Sequence, residues 1–170
     1  MNTQDLLVES YGRIRQLVHQ AAEGVDGERL AYRPEPGANS IAWLVWHLTR
    51  IQDDHVAEIA GVDQVWVTSA WAAALGMEPD PANLGQGHTP EDVAAISPAD
   101  ATPLLGYHDQ VMDRSIEYLS GANAAELARI IDHSYTPPVS VGVRLVSVLS
   151  DNIQHAGQAR YLRGIVDRVM

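Results

Sequence analysis

Asp151 and His155 stand four residues apart in LSDNIQHAGQARYLRG, the stretch from Leu149 to Gly164. On a helix this spacing brings both side chains out on one face, one turn apart, as two ligands of a single ion require. Gln158, three residues further on, and Arg144, seven before Asp151, extend that face in both directions. Val148 and Leu162 share the stripe, so the polar patch is expected inside a helical core. A chain with 22 Asp and Glu and seven His produces such acid–His pairs by chance, so the pair gains meaning only with a donor from another element. His47 is that donor. In IAWLVWHLTRIQDDHVAEIAG it sits between Leu44 and Ile51 in a strongly apolar turn. A buried neutral imidazole needs partners for both nitrogens, and a metal on one of them is a common solution. A core histidine satisfied by protein groups is the other reading that spacing leaves open. Asp54 returns to the face of His47, although it and His55 read by themselves as a solvated helix end.

The elements that must position these residues are helical. From Gln4 to about Glu23, Leu6, Leu7, Tyr11, Ile14, Leu17, Val18 and Ala21 recur at a 3.6-residue period. RPEPGANS supplies breakers, with Asn39 or Ser40 placed to cap a second helix from about Ser40 to Ala60, ended by Gly61. TSAWAAALG predicts a short helix closed by Gly76, and MEPDPANLGQGHTP a long loop of the kind that often forms a functional lid. Thr89 and Pro90 start a short helix to about Ala95. A third long helix is expected from Pro98 or Ala101 through Leu119, closed by Gly121, then a shorter one over NAAELARIID. Ser140 caps the last, which runs to about Val169. The expected fold is all-α, a four-helix bundle with short additional helices in the long middle connection, forming one domain over residues 1–170.

Composition excludes several function classes. The net charge of −11 comes from acids set against 11 bases that are all Arg, which disfavours phosphate backbones and anionic membranes, so neither nucleic acid nor membrane is expected as a partner. The absence of cysteine removes disulfides, thiolate metal sites and Cys nucleophiles. MNTQDLLVES lacks the pattern of a signal peptide, and the uncharged stretch Gln64 to Met77 falls short of the roughly 18 residues of a membrane span. A cytoplasmic location is the expectation.

SIAWLVWHLTRIQDDHV, the GHT of the middle loop, and SVGVRLVSVLSDNIQHAGQARYLRG together resemble the DinB-like superfamily over nearly the whole chain. Within it the chain is most similar to the mycothiol-transferase branch, related to mycothiol-dependent maleylpyruvate isomerase. The resemblance implies a four-helix bundle holding a divalent metal by one ligand from the second helix and two from the last. Carried over by position, His47, Asp151 and His155 are the ligands. Asp151 stands where the isomerase relatives carry Glu, and its shorter arm leaves open whether it meets the ion directly or through water.

Three ligands of N, O, N type leave a position open, as in catalytic zinc sites; nickel also suits imidazole and carboxylate. A low-molecular-weight thiol on such an ion becomes a thiolate nucleophile, and a chain without cysteine must take that thiol from a cofactor, mycothiol or a similar molecule. The implied function is a metal-dependent S-transferase that attacks a small electrophile and serves detoxification. Gln158 would hold a ligand or bridge helices. Arg144, about 10 Å along the helix, would grip a carboxylate of cofactor or substrate or else form a surface ion pair. Two alternatives accompany this reading: a metal-dependent hydrolase using the same site, and a non-enzymatic, stress-related homodimer whose ion staples two helices. Trp43, Trp46, Trp66 and Trp71 read as core packing, and His88 as a loop-turn residue rather than part of a lid.

Overall fold

Asn2 caps the first helix, α1 (Thr3–Ala22): its side chain accepts the amide of Asp5, whose carboxylate accepts the amide of Asn2 in return. Ser40 caps α3 (Ile41–Ala60) by accepting the Trp43 amide at 3.1 Å, and Gly61, at φ 68°, closes that helix in the left-handed conformation glycine tolerates. α7 covers Thr102–Gly121. Ser140 caps α9 (Val141–Val169), a helix of 29 residues and so about 43 Å long. The computed structural model describes all 170 residues.

These four long helices pack as a ring in which α1 and α3 each lie against both α7 and α9. α3 is enclosed over most of its circumference, every residue from Ile41 to Asp53 being buried, the polar His47, Thr49, Arg50, Gln52 and Asp53 among them. α1 turns Tyr11, Ile14, Val18 and Ala21 inward, and the Tyr11 hydroxyl donates to the Leu145 carbonyl at 3.1 Å. No helix is long and apolar enough to cross a membrane.

Short elements fill the connections: α2 (Gly27–Ala31), α4 (Val65–Thr68), α5 (Trp71–Ala74), α6 (Pro90–Ala95) and α8 (Ala124–Ala128). α6 begins with Thr89 in a reciprocal capping box and Pro90 in its first turn. α2 and α4 are additional to the sequence reading, and two boundaries depart from it. α7 runs through Gly121 and is capped at Ala122, without a left-handed glycine. The helix expected over NAAELARIID stops at Ala128, and Ile130–Asp132 forms β1, paired antiparallel with β2 (Val139–Ser140). The β-branched pair Ile130 and Ile131 suits that pleated ribbon better than a helix end.

A line of polar groups crosses the core and sets the register of α3 against its neighbours. Asn152 Nδ2 donates to Gln52 Oε1 at 2.7 Å, Gln52 Nε2 to Ser115 Oγ at 2.7 Å, and Ser115 Oγ to the Val111 carbonyl at 2.8 Å. A slip of either helix would leave buried amides unpaired, at about 1–3 kcal/mol per group. Asn152 follows Asp151 directly, so the same device fixes where α9 presents its acidic residue to α3.

Nearby, Thr49 donates to the Val45 carbonyl and accepts from His108 Nδ1 at 3.0 Å. Burial pushes the His108 imidazole down from its ordinary 6.5 to about 3. Below pH 6.5 the unfolded chain therefore takes up a proton that the folded chain refuses, and stability falls with pH until about pH 3. We expect this residue to remove about 2 kcal/mol between pH 6.5 and pH 5, at ~1.4 kcal/mol per unit. Urea unfolding of His108→Gln at the two pH values should show a correspondingly flatter acid limb.

Candidate metal centre

His47 leaves α3 where that helix faces α9, and its ring meets those of two neighbours. It stacks on Trp43, centroids 4.5 Å apart and planes at 15°, and lies edge-on to His155 at 4.9 Å. Asp151 and His155 come from successive turns of α9, with His155 Nε2 at 3.6 Å from Asp151 Oδ1. One potential ligand atom from each of His47, Asp151 and His155 lies within 4.8 Å of the others. Two donors on one tetrahedral ion sit about 3.3–3.5 Å apart, given ~2.0–2.2 Å ligand bonds, so a small inward rotation of side chains closes the set.

The chemistry of the donors fits a cation. His47 Nδ1–H donates to the Leu84 carbonyl, and His155 Nδ1–H donates to Gln158 Oε1 at 2.8 Å. With each Nδ1 committed, each ring keeps Nε2 as its free donor atom, the arrangement by which outer partners fix a ligating histidine. Asp151 Oδ2 is buried and has no hydrogen-bond partner, a costly state for a carboxylate oxygen unless positive charge meets it.

The titration behaviour carries the same asymmetry. Burial holds His47 below the usual histidine range, against the opposing pull of its Leu84 bond. His155 is raised, first by its contact with Asp151 and further by Gln158, against burial. A proton on His155 thus occupies the position where a cation would meet Asp151. Because that proton must leave before Nε2 can ligate, metal affinity should drop about tenfold per unit as pH falls below the raised His155 value. Isothermal titrations between pH 8 and pH 5.5 read this slope directly.

The loop after α5 is pressed onto α3 and supplies the Leu84 carbonyl. Gly85 lies buried at φ 91°, and a Cβ there would stand 2.8 Å from Trp46 and 3.0 Å from His47 Nδ1. His88 lies stacked on Trp46, centroids 5.5 Å apart, with Nδ1 accepting from Trp43 Nε1 at 3.1 Å and Nε2 facing Asn83 Oδ1 at 2.9 Å. Expected as a loop-turn residue, it sits behind the ligands, and it is outside the three-residue group.

Arg50 ties this loop down from within the core. Fully buried, it donates from Nε to the Asn83 carbonyl at 3.0 Å and from Nη2 to the Pro81 carbonyl and Gln64 Oε1, each at 2.9 Å. Its Nη1 donates to the Tyr107 hydroxyl at 3.1 Å and faces Asp53 Oδ2 at 3.5 Å. Asp53 in turn accepts the amides of Val65 and Trp66 at 2.9 and 2.8 Å, which holds the first turn of α4. Sequence reasoning missed both residues. The available signal was an arginine between Thr49 and Ile51 in a run with no other basic residue.

Arg144, expected along the same face of α9, is bonded to protein groups. It pairs with Glu58 at 2.9 Å and Asp132 at 3.8 Å, and donates to His55 Nδ1 at 3.0 Å. Gripping a ligand carboxylate would require breaking these contacts. Burial and Arg144 together hold His55 below the usual histidine range, and Asp54 accepts from Gln64 Nε2 at 2.7 Å. Neither joins His47, Asp151 and His155. Gln158 does reach the group, through His155. Gln158→Leu should weaken metal binding by about 10–100-fold, the usual worth of an outer partner, with the melting temperature of the metal-free protein unchanged because Gln158 is exposed.

A helical protein with a two-histidine, one-carboxylate cluster between two of its long helices defines the class. The sequence pattern of the DinB superfamily matches residues 10–159, and the chain belongs to that superfamily. Among solved structures it is similar to a conserved protein from Enterococcus faecalis, with 28% identity and a TM-score of 0.89 over 98% of each chain. No curated protein matches it.

Proposed function

We propose that this chain is a divalent-metal enzyme of the thiol S-transferase type, built on a four-helix bundle, with His47, Asp151 and His155 holding the ion. The observation that carries the metal reading is the buried, unpartnered Asp151 Oδ2 beside two imidazoles whose Nδ1 atoms are already committed. Zinc is the ion this donor set favours, with nickel the next. Such a cation would supply the charge that stabilises the deprotonated form of a thiol or of water.

The rest is done by the chain. Leu84 and Gln158 fix the two imidazoles, Trp43 packs against His47 and shields it from water, and Asp151 offers the carboxylate whose charge would meet the cation. The chain has no cysteine, so the thiol comes from a cofactor, for which mycothiol or a similar small thiol is the candidate. In the transfer the thiol gives its proton to solvent water, its sulfur forms a bond to an electrophilic carbon, and the leaving group departs as an anion with the bonding electrons. Asp54 and His55 are engaged with Gln64 and Arg144, and this favours an open site over one closed by a fourth side chain.

The deciding assay follows consumption of mycothiol, or of a simpler thiol, with 1-chloro-2,4-dinitrobenzene by zinc- and nickel-loaded protein. Turnover that requires both metal and thiol and vanishes in His155→Ala supports the transferase. Metal-dependent ester hydrolysis without thiol turnover would assign the site to hydrolysis by water, and neither activity would leave a metal-binding module.

A further inference from the structure

Beside the metal centre runs a groove of about 340 Å³, walled by the 34–39 loop on one side and by Leu44 and the C-terminal half of α9 on the other. Its α9 wall is Gln158, Tyr161, Leu162 and Ile165, and Asn39 stands on the loop side. Two residues join it to the centre. Leu44 precedes His47 by three positions and so shares its face of α3. Gln158 lines the groove while its Oε1 accepts from His155 Nδ1.

No charged side chain lines this groove, although Asp, Glu and Arg make up 19% of the chain. An anionic or cationic ligand would lose its hydration there without gaining a counter-charge. An apolar body is matched by Leu44, Leu162 and Ile165, and a polar neutral group by Asn39 and by the Gln158 amide, whose Nε2 donates to no protein acceptor. Tyr161, 73% exposed at the rim, offers a ring face to a ligand ring at little ordering cost.

We infer that this groove binds the non-reacting body of the substrate, and that the substrate is an uncharged molecule with a ring- or alkyl-sized apolar part and a neutral hydrogen-bonding group. The assignment rests on the proposed metal centre for its place in catalysis, whereas the groove's preference for neutral ligands does not require a metal. The substrate lies along α9 from Gln158 toward Ile165, which directs its other end toward His155.

Three probes with one ring and three charges test this: benzyl alcohol, benzoate and benzylammonium, titrated into ¹⁵N-labelled protein with and without zinc. Benzyl alcohol should shift the amides around Leu44, Gln158, Leu162 and Ile165 and bind at least about tenfold more tightly than either ion. Tyr161→Arg, an exposed substitution that leaves the core intact, should move the benzoate-to-alcohol ratio toward benzoate by about two- to fivefold, the worth of one exposed ion pair. Either ion binding as tightly as the alcohol, or alcohol-induced shifts centred elsewhere, overturns the inference. Zinc titrations on the same samples separate the two claims: a groove that selects neutral probes in a protein that binds no zinc removes only the proposed metal enzyme.

Discussion

Arg50→Met should destabilise the fold by about 3–5 kcal/mol, because it leaves Asp53 as an uncompensated buried charge and strips the donors from two loop carbonyls. The partner change Asp53→Asn should cost less, since an amide oxygen can still accept from Val65 or Trp66. Urea unfolding at pH 7 measures both. The functional consequence follows from connectivity. Arg50 holds Asn83 and Pro81, the same loop carries Leu84, and the Leu84 carbonyl fixes His47. A folded Arg50 variant should therefore also bind metal more weakly, although Arg50 is not a ligand. Normal metal affinity in a destabilised variant would show that the loop keeps its place without Arg50.

His155→Ala should weaken zinc or nickel binding by more than about a hundredfold, beyond the range of an outer partner such as Gln158. The same substitution removes the group that Asp151 raises, so the loss of affinity below neutral pH should flatten as well. Thermal unfolding with and without excess zinc gives a second readout, since an ion that binds only the folded state raises the melting temperature by mass action. Wild type should gain from zinc, and His47→Ala and His155→Ala should not. Stability in the absence of metal should change little for His155, which is half-buried on α9, and more for His47, which is packed between Trp43 and Gly85.

What was legible in the sequence is what local physics determines. Ser40, Gly61, Thr89 and Ser140 mark helix ends through capping chemistry that needs only neighbouring residues, and the long helices follow from apolar period. α4 was not legible, because its first amides are held by Asp53 from more than a turn of helix away in another element. The ribbon of β1 and β2 likewise depends on pairing across a turn.

The site divides in the same way. Asp151 and His155 share a face by spacing alone, and His47 is conspicuous as a polar residue in an apolar run. The atom that orients His47 is a backbone carbonyl, which no side-chain identity announces; Gly85 was its only sequence trace. Asn152 forms the core bond to Gln52, a partner on another helix that its own spacing does not reveal. Arg144 shows the limit of reading one helix at a time, since its partners His55 and Glu58 lie on α3 and Asp132 on β1, and only the fold assembles them.

If His47, Asp151 and His155 hold one divalent ion, a crystal structure of the zinc-loaded protein, with anomalous scattering at the metal edge, will place it. We expect one ion per chain, bonded to His47 Nε2, His155 Nε2 and an Asp151 oxygen at about 2.0–2.2 Å. Zinc bound elsewhere, such as on the acidic surface of Asp54, Glu58 and Asp63, with this trio free of metal, would contradict it.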